Sequence, residues 1–105
     1  MTEIFIVCTI NIMGSEYDIG KNQVNIDKHG ISFEEIKFID WSSAITAEDT
    51  RHNYGEKRYI TFAICQNKLH CLVWTIRNGN IRPISFRKAN KRERYKYEQK
   101  IRYKP

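Results

Sequence analysis

Three largely apolar stretches of the chain have the composition of β-strands. They are residues 58–65, 69–77 and 81–86, and all three are rich in β-branched and aromatic side chains. The dipeptide Asn78-Gly79 predicts a two-residue hairpin turn between the second and third stretches. We predict a turn at Asn67-Lys68 between the first and second, and a weaker strand at residues 44–46. The pattern therefore predicts an antiparallel meander.

Patterns typical of helices precede and follow these strands. Residues 17–29 carry apolar side chains at helical intervals, and Gly30 follows as a C-cap. The sequence SFEE from Ser32 is a capping-box pattern, which predicts a short helix to about residue 40. A second capping box, NKRE from Asn90, predicts a last helix. We expect one α+β domain over residues 1–105, with residues 1–12 as a possible extra N-terminal segment.

Composition narrows the class of protein. No apolar run approaches the ~20 residues that a membrane helix needs, and the first dozen residues lack the basic start of a secretion signal. We expect a cytoplasmic protein.

Cys8, Cys65 and Cys71 have no CxxC spacing and are expected to be buried thiols. No metal or cofactor motif occurs, so no cofactor is expected.

The positive charge is concentrated at the C-terminal end. Residues 87–105 hold nine Lys or Arg and two Glu, a net charge of +7, whereas residues 1–86 hold nine basic and ten acidic residues, a net charge of −1. A basic segment attracts nucleic acid phosphates or an acidic partner surface; alternatively it is only a solvated helix face. The residues of this segment expected to contact nucleic acid are Arg87, Lys88, Lys91 and Arg92. Tyr95 and Tyr97 are expected to pack inward.

The two predicted turns fix the pairing of the strands. The second turn places Arg77 opposite Asn80, Thr75 opposite Arg82 and Val73 opposite Ile84. Because paired residues share a face of the sheet, the first turn adds Arg58, opposite Arg77, to the same face.

Arg58, Thr75, Arg77 and Arg82 thus gather at one end of one face. Like charges directly opposite are destabilising and require an anion. A carboxylate from Glu56 or Glu34 could supply it. The functional alternative is a phosphate group, which guanidinium groups bind through two hydrogen bonds.

Four motifs follow one another along the chain: KHGISFEE at 28–35, GEKR at 55–58, TIR at 75–77 and IRPISFRKA at 81–89. Together they resemble the BrnT-type toxin family, and the resemblance extends from residue 17 to about residue 99. It implies a RelE-like fold with two N-terminal helices, a twisted antiparallel sheet and a C-terminal helix. It also implies a type II toxin that cleaves RNA without a metal, inhibits translation and growth, and is neutralised by an antitoxin of the ribbon-helix-helix type, through which the pair binds DNA.

The family's matching catalytic positions are Arg58, Thr75, Arg77 and Arg82. As the mechanism we expect attack of a ribose 2′-hydroxyl on the adjacent phosphate, and the general base stays open among His29, His52 and Glu56. Two departures are Ile76, where an acidic residue is expected, and Pro83, which removes a donor unless its strand lies at an edge. The alternatives are a non-catalytic domain that binds nucleic acid or protein, and a degenerate toxin that only binds its antitoxin.

Overall fold

The computed structural model describes residues 18–51, 53 and 55–102. Its elements in chain order are α1 (Ile19–His29), a 3₁₀ helix η1 (Phe33–Phe38), β1 (Ile39–Asp49), β2 (Arg58–Cys65), β3 (Lys68–Arg77), β4 (Asn80–Lys88) and α2 (Lys91–Arg102). The strands form one antiparallel sheet in the order β1-β2-β3-β4. The predicted α+β class, meander and C-terminal helix are confirmed. The predicted segment 1–12 lies outside the described residues.

Local chemistry sets the ends of the helices. The Asp18 carboxylate accepts the backbone N–H groups of Gly20 and Lys21, and Gly30 closes α1 with a φ of 73°. The Ser32 hydroxyl accepts from the N–H of Glu34 at the start of η1. The second predicted helix is thus a 3₁₀ helix, and it ends at Phe38, where the chain turns into β1.

Strand β1 is eleven residues long, much longer than the predicted residues 44–46. Its pairing with β2 shifts between Asp40 and Ile45. Within this irregular part, the hydroxyl of Ser43 accepts the backbone N–H of Ile64 at 2.8 Å. A polar side chain therefore replaces a backbone hydrogen-bond partner. This irregular part of the strand does not show the apolar–polar alternation by which a strand is recognised in a sequence.

The turn between β2 and β3 lies at Gln66-Asn67, so the prediction of Asn67-Lys68 is wrong by one residue. Both turn residues have positive φ, 51° and 70°, as a type I′ turn requires. The error displaces β2 by two residues against β3, which keeps every side chain on its predicted face. Arg58 consequently lies two residues from its predicted place opposite Arg77.

The turn at Asn78-Gly79 is confirmed, with φ values of 52° and 78°. The predicted pairs of Arg77 with Asn80 and of Thr75 with Arg82 are also confirmed. The predicted pair of Val73 with Ile84 is wrong, because Val73 pairs with Ser85 and Trp74 pairs with Pro83. Ile84 is therefore the extra residue of a bulge next to the proline, on an outermost strand where the lost donor is tolerated.

The two faces of the sheet differ. On the core face, Trp74, Phe86 and their neighbours pack against Phe33 and Ile36 of η1, and the Trp74 indole donates to the hydroxyl of Thr61. The opposite face carries Arg58, Phe62, Val73, Arg77 and Arg82, and we call it the arginine face. Helix α2 crosses only part of it, over a small apolar cluster of Leu69, Ala89 and Tyr97.

Helix α1 closes the outer edge of β4. The buried Asn25 amide donates to the carbonyls of Phe86 and Ile31, both at 2.8 Å, and its oxygen accepts the N–H of Phe86 at 3.0 Å. One side chain thus satisfies the backbone N–H and C=O of Phe86 as a further strand would, and it blocks pairing with another chain at this point of the edge.

Candidate active site

The sheet brings all four predicted catalytic residues to one end of the arginine face. Arg58 begins β2, Thr75 and Arg77 end β3, and Arg82 lies near the start of β4. The Arg77 side chain is 53% exposed, whereas that of Arg58 is 26% exposed. The site is therefore open to solvent at Arg77 and enclosed at Arg58. We call Arg58, Arg77 and Arg82 the arginine cluster.

Glu56 joins two members of the arginine cluster. Its Oε1 lies 3.3 Å from Nη2 of Arg77, and its Oε2 lies 3.5 Å from Nε of Arg58. The anion required by the two arginines is therefore supplied within the chain by Glu56, one of the two carboxylates expected; Glu34 lies on η1. Partly exposed ion pairs contribute about 1 kcal/mol or less. A phosphate of RNA can therefore compete with this carboxylate.

Thr75 is buried, and its hydroxyl donates to the carbonyl of Lys57 at 2.7 Å. This bond ties β3 to the segment that carries Glu56 and Arg58. The hydroxyl keeps acceptor capacity, but its hydrogen is used within the protein. Thr75 thus positions the neighbouring charged residues.

Asp49, the last residue of β1, and Arg51, two residues later, also belong to the site. Asp49 pairs with Arg58 in the β1–β2 register, and its side chain is 1% exposed. Its two carboxylate oxygens accept from Nε and Nη2 of Arg51, each at 2.8 Å. No local pattern could have found this arrangement, because it depends on β1 continuing to Asp49.

Arg82 lies beside the first turn of α1. The pKa of Asp18 is lowered, first by the backbone N–H groups of Lys21 and Gly20 and to a smaller extent by the charge of Arg82. The beginning of α1 therefore contributes a negative charge near the arginine cluster.

The four predicted RNA-binding residues lie elsewhere. Arg87 forms a two-fold ion pair with Glu93 at 2.7 and 2.8 Å, which lowers the pKa of Glu93 and raises that of Arg87. The backbone N–H of Asn90 donates to the Glu93 carboxylate, and the N–H of Glu93 donates to the side-chain oxygen of Asn90, so the predicted capping box is confirmed. Lys88, Lys91 and Arg92 are exposed at the end of β4 and on α2.

The two tyrosines of α2 point in different directions. Tyr97 is buried as predicted and donates to the carbonyl of Ser43 at 2.6 Å. Tyr95 is 63% exposed, so its predicted inward packing is wrong. Residues two apart in a helix of 3.6 residues per turn lie on nearly opposite sides, and both cannot face the sheet.

Of the three candidate bases, the structure places Glu56 against the arginine cluster. His29 ends α1, and its pKa is lowered mainly by burial and also by the charges of Lys28 and Arg87, which stands at the other end of β4 from Arg82. His52 lies outside the described residues. His70 is on the core face, where it stacks on Phe86 at 5.2 Å.

Comparison with known protein families identifies the family of the chain that carries this site. The family described as the ribonuclease toxin BrnT of type II toxin–antitoxin systems matches residues 17–93. The chain belongs to the BrnT ribonuclease toxin family. No curated protein sequence matches the chain significantly. The matched range includes the whole arginine cluster and Glu56, while most of α2 follows it.

Membership of the BrnT family makes the protein a toxin of the ribonuclease class whose partner is an antitoxin. In the described ranges, no helix is long and apolar enough to cross a membrane. No group of three or more His, Cys, Asp or Glu that could hold a metal occurs in that same part of the chain. Cys65 and Cys71 are free and buried as predicted, and burial raises the pKa of both thiols to about 11. Cys8 lies outside the described residues.

Proposed function

We propose that this BrnT family member cleaves RNA without a metal ion. The ribose 2′-oxygen forms a bond to the adjacent phosphorus while the bond from phosphorus to the 5′-oxygen breaks. The products are a cyclic phosphate and a 5′-hydroxyl. The observation that carries the proposal is the contact of Arg58 and Arg77 with the two oxygens of Glu56, because two guanidinium groups that share one carboxylate can share a phosphate in the same way.

Each residue of the site has a role in this reaction. Arg58 and Arg77 hold the non-bridging phosphate oxygens and stabilise the charge that grows on them in the transition state. Arg82 adds a third positive charge, and Thr75 positions the segment of Arg58 through its bond to Lys57.

Glu56 is the general base of the proposal. When a phosphate replaces the Glu56 carboxylate between the arginines, that carboxylate stays next to the ribose 2′-hydroxyl and accepts the hydroxyl proton. The departing 5′-oxygen takes a proton from solvent. Neither departure from the family pattern removes a member of this site: Ile76 is exposed and points to the core face, and Pro83 forms part of the β4 bulge.

The fold, the cellular location and the partner are proposed from the family. We propose that residues 1–105 act as one RelE-like toxin domain in the cytoplasm, and the antiparallel meander with its C-terminal helix supports this fold. The partner would be an antitoxin of the ribbon-helix-helix type that covers the arginine face and carries the pair to DNA. The net charge of the basic C-terminal segment favours an acidic partner surface.

Expression of the chain alone and with the neighbouring gene tests the proposal. We expect growth arrest with new RNA 5′ ends by primer extension, relieved by the neighbour. Arg77→Ala should abolish the arrest. Arg92→Ala, which removes an exposed arginine from α2, should retain most of it. A folded Arg77→Ala protein that still arrests growth would contradict the assignment, and loss of activity only in Arg92→Ala would favour a module that binds through its basic helix.

A further inference from the structure

A groove separates α2 from the middle of the arginine face. It is a cavity of about 260 Å³ whose lining residues are Ile45, Phe62, Glu93, Lys96, Tyr97 and Lys100. Ile45 and Phe62 form an apolar floor on β1 and β2, and the two lysines stand on the helix. Glu93 is held by Arg87, so the lysines supply the charge that this groove presents to a ligand.

The groove lies on the side of α2 that faces the arginine cluster. A second cavity, of about 460 Å³, lies on the other side of Tyr97 and is lined by Ile64 and Leu69, next to the Gln66-Asn67 turn. Phe62 is closer along β2 to Arg58 than Ile64 is. Tyr97 thus divides the space under the helix, and the cavity over Phe62 is the one on the arginine side.

A continuous strip connects this groove to the arginine cluster. Phe62, Ile60 and Arg58 alternate on one strand and point to the same face, so Phe62 and Arg58 are about 13 Å apart along it. Ile60 pairs with Val73 between them, and both side chains are half-buried. The strip is therefore apolar in its middle and bounded by positive charge at both ends.

This distribution of charge and apolar surface fits one class of ligand. Single-stranded nucleic acid has flat bases that stack on aromatic side chains and phosphates that seek lysine and arginine. We propose that the groove is a nucleobase subsite, in which a base of the RNA strand stacks on Phe62 while flanking phosphates contact Lys96 and Lys100 on one side and the arginine cluster on the other. The choice of RNA rests on the proposed function.

Affinity for two uncleavable oligonucleotides tests this subsite. One is a short 2′-O-methyl RNA of mixed sequence, and the other is the same backbone without bases. The wild-type chain should bind the base-bearing strand at least about fivefold more tightly, the lower end of the effect of one stacked base. Phe62→Leu keeps apolar packing but removes the ring, so it should lose this preference and keep its affinity for the abasic strand.

Two further variants complete the design. Phe38→Leu removes a 48% exposed ring from η1, away from the groove, and should change neither affinity. The double variant Lys96→Ala, Lys100→Ala should reduce the salt dependence of binding by about 0.7 per lysine for both strands. Unfolding in urea establishes that every variant is folded.

The outcomes separate this inference from the proposed function. A wild-type chain without preference for bases, or a Phe62→Leu protein that keeps the preference, overturns the subsite even if Arg77 is needed for cleavage. A preference that depends on Phe62 supports the subsite even if no RNA is cleaved. Unchanged RNA affinity of Phe62→Leu together with loss of antitoxin binding would overturn it in favour of a protein partner.

Discussion

Replacing Asn25 with alanine removes the amide that joins α1 to the outer edge of β4. Three hydrogen bonds of 2.8 to 3.0 Å are lost: the N–H and C=O of Phe86 lose this partner in a buried environment, and the C=O of Ile31 loses it in a partly buried one. Alanine cannot replace any of these bonds. The change therefore tests whether one side chain holds the helix against the sheet.

The size of the effect follows from these contacts. Each hydrogen bond contributes about 1 kcal/mol net, so three contribute about 3 kcal/mol. Alanine gains about 0.5 kcal/mol of helix propensity over asparagine. We expect the free energy of unfolding to fall by roughly 2.5 kcal/mol, which is about a sixth to a half of the 5–15 kcal/mol typical of a domain, and the melting temperature to fall by roughly 10–20 °C.

Urea unfolding monitored by circular dichroism measures the change. The matched control is Gln23→Ala on the same helix, which loses only an exposed hydrogen bond to Asp27 and should change the free energy of unfolding by less than ~0.5 kcal/mol. Faster hydrogen exchange at the amide of Phe86 should accompany the Asn25→Ala change. If Asn25→Ala is no less stable than Gln23→Ala, the reasoning about this edge is refuted.

Three further predictions concern other parts of the molecule. The folded pKa of Glu93 lies below its ordinary value of 4.5, so its pair with Arg87 should stabilise α2 above pH 4.5 and be lost as the pH falls through the folded pKa; Glu93→Gln should weaken this acid dependence in a pH series of unfolding curves. Cys65 and Cys71, with pKa values of about 11, should resist iodoacetamide at neutral pH and react only after unfolding, which peptide mass spectrometry would reveal; rapid labelling of the folded protein would disprove their burial. Gly79→Ala meets no neighbouring atom but must keep a φ of 78°, so urea unfolding should reveal a loss of about 1–2 kcal/mol, and an unchanged midpoint would be inconsistent with the turn.

The features that were predictable from sequence are those fixed by a few adjacent residues. Gly30 ends a helix and Asn90 with Glu93 begins one, because the capping groups lie within a turn of the backbone groups that they satisfy. Asn78-Gly79 fixes a turn for the same reason. The arginine cluster was predictable because a two-residue error in register leaves all side chains on their faces.

The features that were missed depend on contacts between distant parts of the chain. The hydrogen bond from Asn25 to Phe86 spans 61 residues, and no sequence pattern near either residue predicts it. Strand β1 was underestimated because the Ser43 hydroxyl substitutes for a backbone partner in its irregular part. The bulge at Ile84 depends on how β4 accommodates Pro83 against Trp74. Asp49 became part of the site only because β1 is long.

The central claim is that the arginine cluster with Glu56 cleaves RNA through the ribose 2′-hydroxyl. The most direct test incubates purified protein with an RNA oligonucleotide in the presence of EDTA and identifies the product ends by mass spectrometry. We expect cyclic phosphate and 5′-hydroxyl ends, none from a strand with 2′-deoxyribose at the cleaved position, and none from Arg77→Ala or Glu56→Gln proteins that remain folded. Cleavage of the deoxy-substituted strand at the same bond, or undiminished cleavage by Arg77→Ala, would contradict the account.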